Sequence, residues 1–265
     1  MREFIVQGKT VVLTGASGGI GGALAEELAS KGARLVLIGR NTEKLSKLAE
    51  LLGEGHSVVS CDIATADGRE TIISYCQALE SGVDMLVNNA GIGAFKSFDK
   101  TEEEQVISLI HTNLTSTILL TQAMLPILQA QKSSQIVNVG SAFGSIGFPG
   151  FVVYSASKFG LRGFTEALAR ELSDSSIAVR YFAPRATKTP LNDANVDALN
   201  AALDTHVDEP SQVAKEFVEF VESNKQRYYV GWPEKLFARI NGVFPALVDS
   251  SISKQLALIK SCLPK

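Results

Sequence analysis

The chain has 265 residues, 45% of them hydrophobic and 20% charged, with a formal net charge of −3. This length and apolar content suit one large α/β domain with a substantial core, and no linker divides it. The charge argues against a general nucleic-acid binder; the segment Met1 to Thr10 lacks an apolar signal-peptide core, and no apolar run reaches the ~18 residues of a membrane span.

Thr10–Thr14 (TVVLT) reads as a buried strand, and Ile20–Lys31 as a helix with Leu24 and Leu28 on its apolar face. A strand at Arg34–Ile38, a helix at Thr42–Leu52 and a short strand at Ser57–Ser60 follow. A helix through Ile72 and Leu79 leads to a strand at Asp84–Val87. Glu102–Leu128 forms a long helix that Pro126 bends or ends. Gln135–Val139 is the fifth strand, Ser155–Leu172 a helix and Ala178–Phe182 the sixth strand. Beyond Pro184 the chain is mostly helical, with a last short strand at Arg227–Val230 and an apolar tail.

Continuous apolar strands alternating with helices indicate a parallel sheet covered on both faces. The expected fold is therefore a doubly wound α/β sheet of the Rossmann kind, in three α/β/α layers, with the ligand at the carboxyl ends of the strands. Within this single domain, 9–190 form the cofactor and catalytic core, 191–226 helices that cover substrate, and 232–265 an extension. Cys61, Cys76 and Cys262 are odd in number and far apart, which fits neither a disulfide framework nor a metal site and points to a reducing cytoplasm. His56, His111 and His206 show no ligand spacing, so no metal is assigned.

Five stretches could carry chemistry. Thr14-Gly15-Ala16-Ser17-Gly18-Gly19-Ile20-Gly21 joins the first strand to the first helix, where glycines let the backbone approach a pyrophosphate on free helix N–H groups. The alternative is a simple Gly-rich turn. Arg40 ends the second strand where an acid would favour NAD; it suits the 2′-phosphate of NADP, or is a surface arginine. The Gly loop holds no second basic residue. Asn88-Asn89-Ala90-Gly91 allows close backbone approach and amide ties between strand ends, or is an Asn-Gly-type turn.

Tyr154 and Lys158 are four apart and share a helix face, so the ammonium would lower the phenol pKa toward the range of a general acid or base. A chain with 5 tyrosines makes such a pair by chance often enough that its location, after the fifth strand, is what matters. Ser141, at the end of that strand, could donate to a carbonyl oxygen as charge develops, or could be a loop cap.

These motifs, in this order and spacing, resemble the short-chain dehydrogenase/reductase family, in its single-domain branch, over roughly Lys9 to Pro190. The resemblance implies an oxidoreductase moving a hydride between a nicotinamide and a carbonyl or alcohol carbon. It makes Ser141 the polariser of the carbonyl, Tyr154 the proton donor or acceptor, and Lys158 the group that lowers the Tyr154 pKa and binds the nicotinamide ribose. It also assigns Asn113 to a water in the proton relay and Asp62-Ile63 to the adenine. Gly15, Ser17, Gly19, Ile20, Gly21, Asn89, Ala90 and Gly91 would hold the dinucleotide, and Pro184, Thr187 and Thr189 would clasp the carboxamide. With Arg40, NADP (as NADPH) is expected over NAD, and the direction leans toward reduction.

Two positions depart from the family. Arg185 stands where glycine is usual after Pro184, facing either an anionic substrate group or solvent. Tyr228-Tyr229-Val230-Gly231-Trp232-Pro233 and a long tail replace the usual Gly-rich end, which argues against the usual tetramer and leaves a homodimer as the expectation. From Glu234 to Lys265 apolar residues recur near helical spacing, and five Lys/Arg against two acids give this segment +3 and the rest −6. Such a segment lies in a membrane interface, lids a lipid-binding pocket, or packs on a partner subunit. The tail and the Phe148 and Phe151 loop point to a hydrophobic, lipid-like or acyl carbonyl. The competing readings are a non-catalytic dinucleotide-binding sensor or scaffold, and an epimerase or dehydratase.

Overall fold

The computed structural model describes residues 4–232 and 234–264. Residues 1–3, Pro233 and Lys265, which the sequence reading counts into the amino-terminal segment and the tail, lie outside the described residues. Seven strands are found among the described residues: β1 (Thr10–Thr14), β2 (Arg34–Gly39), β3 (Ser57–Ser60), β4 (Met85–Asn88), β5 (Ser134–Val139), β6 (Ile177–Ala183) and β7 (Arg227–Tyr229). They form one sheet in the order β3-β2-β1-β4-β5-β6-β7, with every neighbouring pair parallel. β1, β4 and β5 are buried along their whole length, as central parallel strands must be when helices cover both faces.

The helices are α1 (Gly19–Ser30), α2 (Thr42–Leu52), α3 (Ala66–Gln77), α4 (Glu103–Ile110), α5 (Ser116–Gln129), α6 (Val152–Glu171), α7 (Ala194–Ala202), α8 (Pro210–Glu222), α9 (Glu234–Val243) and α10 (Pro245–Ser261). Side-chain caps fix three of the starts: Asn41 accepts from the Lys44 N–H, Thr65 from the Gly68 N–H, and Asp193 from the Asn195 and Val196 N–H groups. Each such cap contributes about 1 kcal/mol.

The alternation along β1 sorts the core into two layers. Val11 and Leu13 point into a cluster with Leu24 and Leu28 of α1, Leu45 of α2 and Phe217 of α8. Val12 points the other way, into a cluster with Ile72 of α3 and Leu120, Met124 and Leu128 of α5. The three-layer expectation holds. The sheet reverses its winding between β1 and β4, so their carboxyl ends flank the crevice where a doubly wound sheet takes its ligand.

One local departure from the sequence reading has a physical cause. The long helix expected over 102–128 is two helices joined by a π turn at His111–Thr115, because the buried amide of Asn113 bonds sideways to Ile92 rather than packing as a helix-face residue. Pro126 lies inside α5, which continues to Gln129. Helix α6 begins at Val152, so Tyr154 lies in its first turn.

A third apolar cluster joins Phe95, Leu199 of α7 and Ile259 of α10, with Phe148, Phe151 and Leu263 packed against it. The carboxy-terminal helix is thus docked on the same end of the sheet as the crevice. Among the described residues no helix is long and apolar enough to cross a membrane.

Candidate active site

The crevice at the switch point has two ends that meet. The first is a cleft of about 370 Å³ bounded by Gly15, Ser17, Gly19, Ile20, Gly21, Arg40, Asp62, Ile63, Asn89, Ala90 and Gly91. Gly15 has φ +66°, a conformation open to glycine, and a Cβ there would lie 2.8 Å from the Ala90 Cα. A Cβ at Gly21 would collide with the Gly15 carbonyl oxygen, so the turn closes only around glycine.

The strand ends are tied as the amide-rich stretch suggests. The Thr14 hydroxyl accepts from the N–H groups of Asn89 (2.9 Å) and Ala90 (3.0 Å), and the Asn89 amide donates to the Thr14 and Gly15 carbonyls at 3.0 and 3.2 Å. Asn88 donates to Thr121 at 2.9 Å and to Asn138 at 2.8 Å. This cradle of glycine backbone ahead of a helix N-terminus fits a dinucleotide. At its far end, Arg40 is 71% exposed and reaches Asp62 at 4.0 Å.

The second cavity is also about 370 Å³, and its wall includes Ser141, Phe95, Phe143, Phe148 and Phe151. Tyr154 borders both spaces, whereas Lys158 faces only the first and Ser141 only the second. Phe143 and Phe151 meet the Tyr154 ring edge-on, at 6.5 and 6.2 Å between centroids. They fix the phenol between the two compartments.

Burial pushes the Tyr154 phenol up, and the Ser141 hydroxyl beside it pulls it back down. The direction expected from the Tyr-Lys spacing was downward. The Lys158 ammonium lies 5.8 Å from the Tyr154 ring centroid and donates to the Val139 carbonyl at 3.1 Å, and desolvation of the phenol prevails. Lys158 is itself buried and is lowered from 10.5 to about 8. Ser141 is braced by Tyr181, whose hydroxyl lies 3.4 Å from both the Ser141 N–H and its carbonyl oxygen. Asn113 is buried beneath the cleft. Its amide donates to the Ile92 carbonyl and the Ser157 hydroxyl and accepts from the Ile92 N–H.

Of the segment expected to clasp the carboxamide, Thr189 borders both spaces, while Pro184 and Thr187 line the second. Arg185 also lines the second cavity, but its guanidinium is held by Asp208 in a two-pronged ion pair; it is turned neither to solvent nor to an unneutralised anion site. Of the helices expected to cover substrate, α7 lines the cavity through Val196 and Leu199, whereas α8 packs on α1 as part of a core layer. From the tail, Gln255 of α10 completes the cavity wall, and Asn241 of α9 donates to the Ser145 carbonyl at 2.8 Å.

Sequence reasoning missed Lys44, Thr112 and Gln255, all of which line these spaces, while Leu191 and Leu199 fall in the 191–226 segment expected to cover substrate. Lys44 had a usable signal: it sits in the first turn of α2, four residues after Arg40, and supplies the second cation the Gly loop lacks. Gln255 had none, because only the packing of α10 brings it to the cavity.

The family model described as short chain dehydrogenase matches residues 9–200. The chain is 32% identical to 3-oxoacyl-[acyl-carrier-protein] reductase FabG of Haemophilus influenzae over 231 residues, covering 85% of this chain and 95% of that protein. It is 33% identical to Nodulation protein G of a Rhizobium species over 232 residues, covering 86% and 95%. It is 39% identical to the human 3-oxoacyl-[acyl-carrier-protein] reductase over 176 residues, covering 66% and 74%.

Proposed function

The chain belongs to the short-chain dehydrogenase family, an oxidoreductase acting on CH–OH and C=O groups, and we propose that it reduces a hydrophobic ketone or acyl-chain carbonyl with NADPH. One observation carries this reading: Tyr154 stands between the two spaces, with Lys158 on the dinucleotide side and Ser141 on the aromatic-walled side.

When bound, the nicotinamide supplies the hydride that reduces the carbonyl carbon. The Ser141 hydroxyl donates to the carbonyl oxygen as negative charge grows there. The Tyr154 phenol gives its proton to the same oxygen, and the Lys158 ammonium offsets the phenolate that remains. Asn113 holds the backbone at Ile92, beside Gly91, and anchors the relay that returns a proton to Tyr154. Ser17, Asn89 and the Gly loop, which line the first cleft together with Asp62 and Ile63, would hold the dinucleotide, with Asp62 and Ile63 toward its adenine. Thr189 would hold the carboxamide, with Pro184 and Thr187 behind it.

NADPH rather than NADH is supported by two cations, Arg40 and Lys44, at the adenosine end of the cleft, and by the lack of an acid at the end of β2. A hydrophobic substrate is supported by the stacked rings Phe95–Phe151 and Phe143–Phe148 and by Val196, Leu199 and Leu203, which line the same cavity. Relatives whose names specify 3-oxoacyl substrates agree with an acyl carbonyl. A homodimer is supported by Ile107, Leu119 and Phe159, exposed on α4, α5 and α6. The scattered free cysteines suit the cytoplasm.

The test follows absorbance of NADPH, with NADH in parallel, against ketones of increasing chain length and ring size. Turnover that rises with apolar size and prefers NADPH is expected. Turnover confined to small polar ketones overturns the substrate reading, and equal use of NADH overturns the role given to Arg40.

A further inference from the structure

The carboxy-terminal helices α9 and α10 form a hairpin whose inner side is committed. Ile259 is fully buried in the cluster behind the substrate cavity, and Asn241 holds the Ser145 carbonyl. Its elbow is not committed. From Val243 through Leu247, five consecutive apolar residues (Val243, Phe244, Pro245, Ala246, Leu247) are exposed, with Val243 at 67%, Phe244 at 62% and Leu247 at 64%. Trp232, just before α9, is 68% exposed, and Phe237 on α9 is 40% exposed. An uninterrupted apolar run at a turn is unusual for a solvated loop, where polar residues normally satisfy the chain.

The charges flanking the elbow are mainly basic. Lys235 and Arg239 on α9 and Lys254 on α10 are exposed, against Asp249 on α10 and the Glu234 that opens α9. The chain as a whole is −3, so this basic collar is a local inversion. Arg239 lies five residues before Phe244, roughly 7 Å along a helix. That offset matches the ~5–10 Å to which interfacial helices sink their apolar groups below the headgroups.

We propose that this elbow docks on the surface of an anionic lipid bilayer: Phe244, Val243 and Leu247 enter the headgroup–acyl boundary, Arg239 and Lys235 pair with lipid phosphates, and Trp232 lies at the interface. A second copy of the chain is the weaker occupant. The exposed tip amounts to on the order of a few hundred Å², short of the ~800 Å² per partner of a stable interface. An exposed basic collar also repels its own copy. Docking by this elbow would bring the substrate cavity, walled by Gln255 of the same hairpin, close to the membrane surface.

The experiment is flotation of the purified full-length protein with vesicles of phosphatidylcholine alone and of phosphatidylcholine with phosphatidylglycerol. Binding to the anionic vesicles, weakened by salt, is expected. F244S/L247S should weaken it at least ~10-fold, and K235E/R239E should reduce it toward the level of neutral vesicles. Circular dichroism and thermal unfolding show that each variant remains folded. No binding to anionic vesicles at low salt overturns the proposal, as does binding unchanged in both variants. Light scattering that shows an oligomer dissociated by F244S/L247S would also overturn it, in favour of a second copy. NADPH turnover on soluble ketones is read separately, so failure of the catalytic reading is distinguishable from failure of docking.

Discussion

The guanidinium of Arg185 grips the carboxylate of Asp208 through two hydrogen bonds, Nε to Oδ2 at 2.8 Å and Nη2 to Oδ1 at 2.9 Å, with the side chains only 11% and 6% exposed. The arginine also donates to the Trp232 carbonyl at 3.5 Å, so the pair links the end of β6, the loop before α8 and the start of the tail. Removing one partner strands a buried charge. Asp208→Asn should therefore cost on the order of 3–5 kcal/mol of stability, measured by urea unfolding. A loss below ~1 kcal/mol would mean the ion pair contributes only what an exposed one does.

Tyr154 offers the phenol that borders both compartments. Tyr154→Phe keeps the ring and its edge contacts but removes the proton. Turnover should fall by roughly 10²–10⁴ while the dissociation constant for NADPH, read by fluorescence titration, stays within about twofold of the parent's. Unchanged turnover would remove Tyr154 from the chemistry.

Arg40 is exposed at the adenosine end of the cleft, with Asp62 4.0 Å from it. Arg40→Glu reverses the charge at the adenosine end. The ratio of kcat/KM for NADPH over NADH should drop on the order of tenfold to a hundredfold, with stability little changed because the site is open. A ratio that does not move assigns the preference to Lys44 or to neither.

Burial holds Lys158 at about 8 in the folded protein, against an ordinary value of 10.5. Between those values the unfolded chain binds the extra proton, so this group makes stability rise with pH from about 8 to about 10.5. Below about pH 8 both states are protonated and the burial penalty, a few kcal/mol, applies in full. Lys158→Met should flatten that part of the stability curve relative to the parent. Parallel curves for the two proteins would show that the lysine keeps its ordinary affinity for protons.

Ile259 is fully buried between Phe95 and Leu199. Ile259→Ala should cost about 2–5 kcal/mol and raise KM for apolar ketones more than it lowers kcat, because it loosens the wall formed by α10. Steady-state kinetics over the same ketone panel check this. An unaltered KM would detach the tail from the substrate cavity.

The sequence by itself determined the sheet and the ends of its strands, because continuous apolar runs such as TVVLT have one stable arrangement between helical layers and the Gly loop closes only around Gly15 and Gly21. It also brought Ser141, Tyr154 and Lys158 to one crevice, since Ser141 lies two residues past the carboxyl end of β5 and Tyr154 and Lys158 open the helix that follows that strand. Local periodicity could not show the π turn at Asn113, whose cause is a hydrogen bond to Ile92 across 21 residues of chain. Tertiary structure alone decided the rest. Arg185 stands out in sequence but its partner Asp208 does not, and α8 reads like a lid until its Val213 and Phe217 are seen buried against α1. The tail is amphipathic in any reading, but only the docking of Ile259 divides it into an inner side that walls the cavity and an elbow left in water. Patterns of 2 and 3.6 residues record which face is apolar; they do not record which distant surface will cover it.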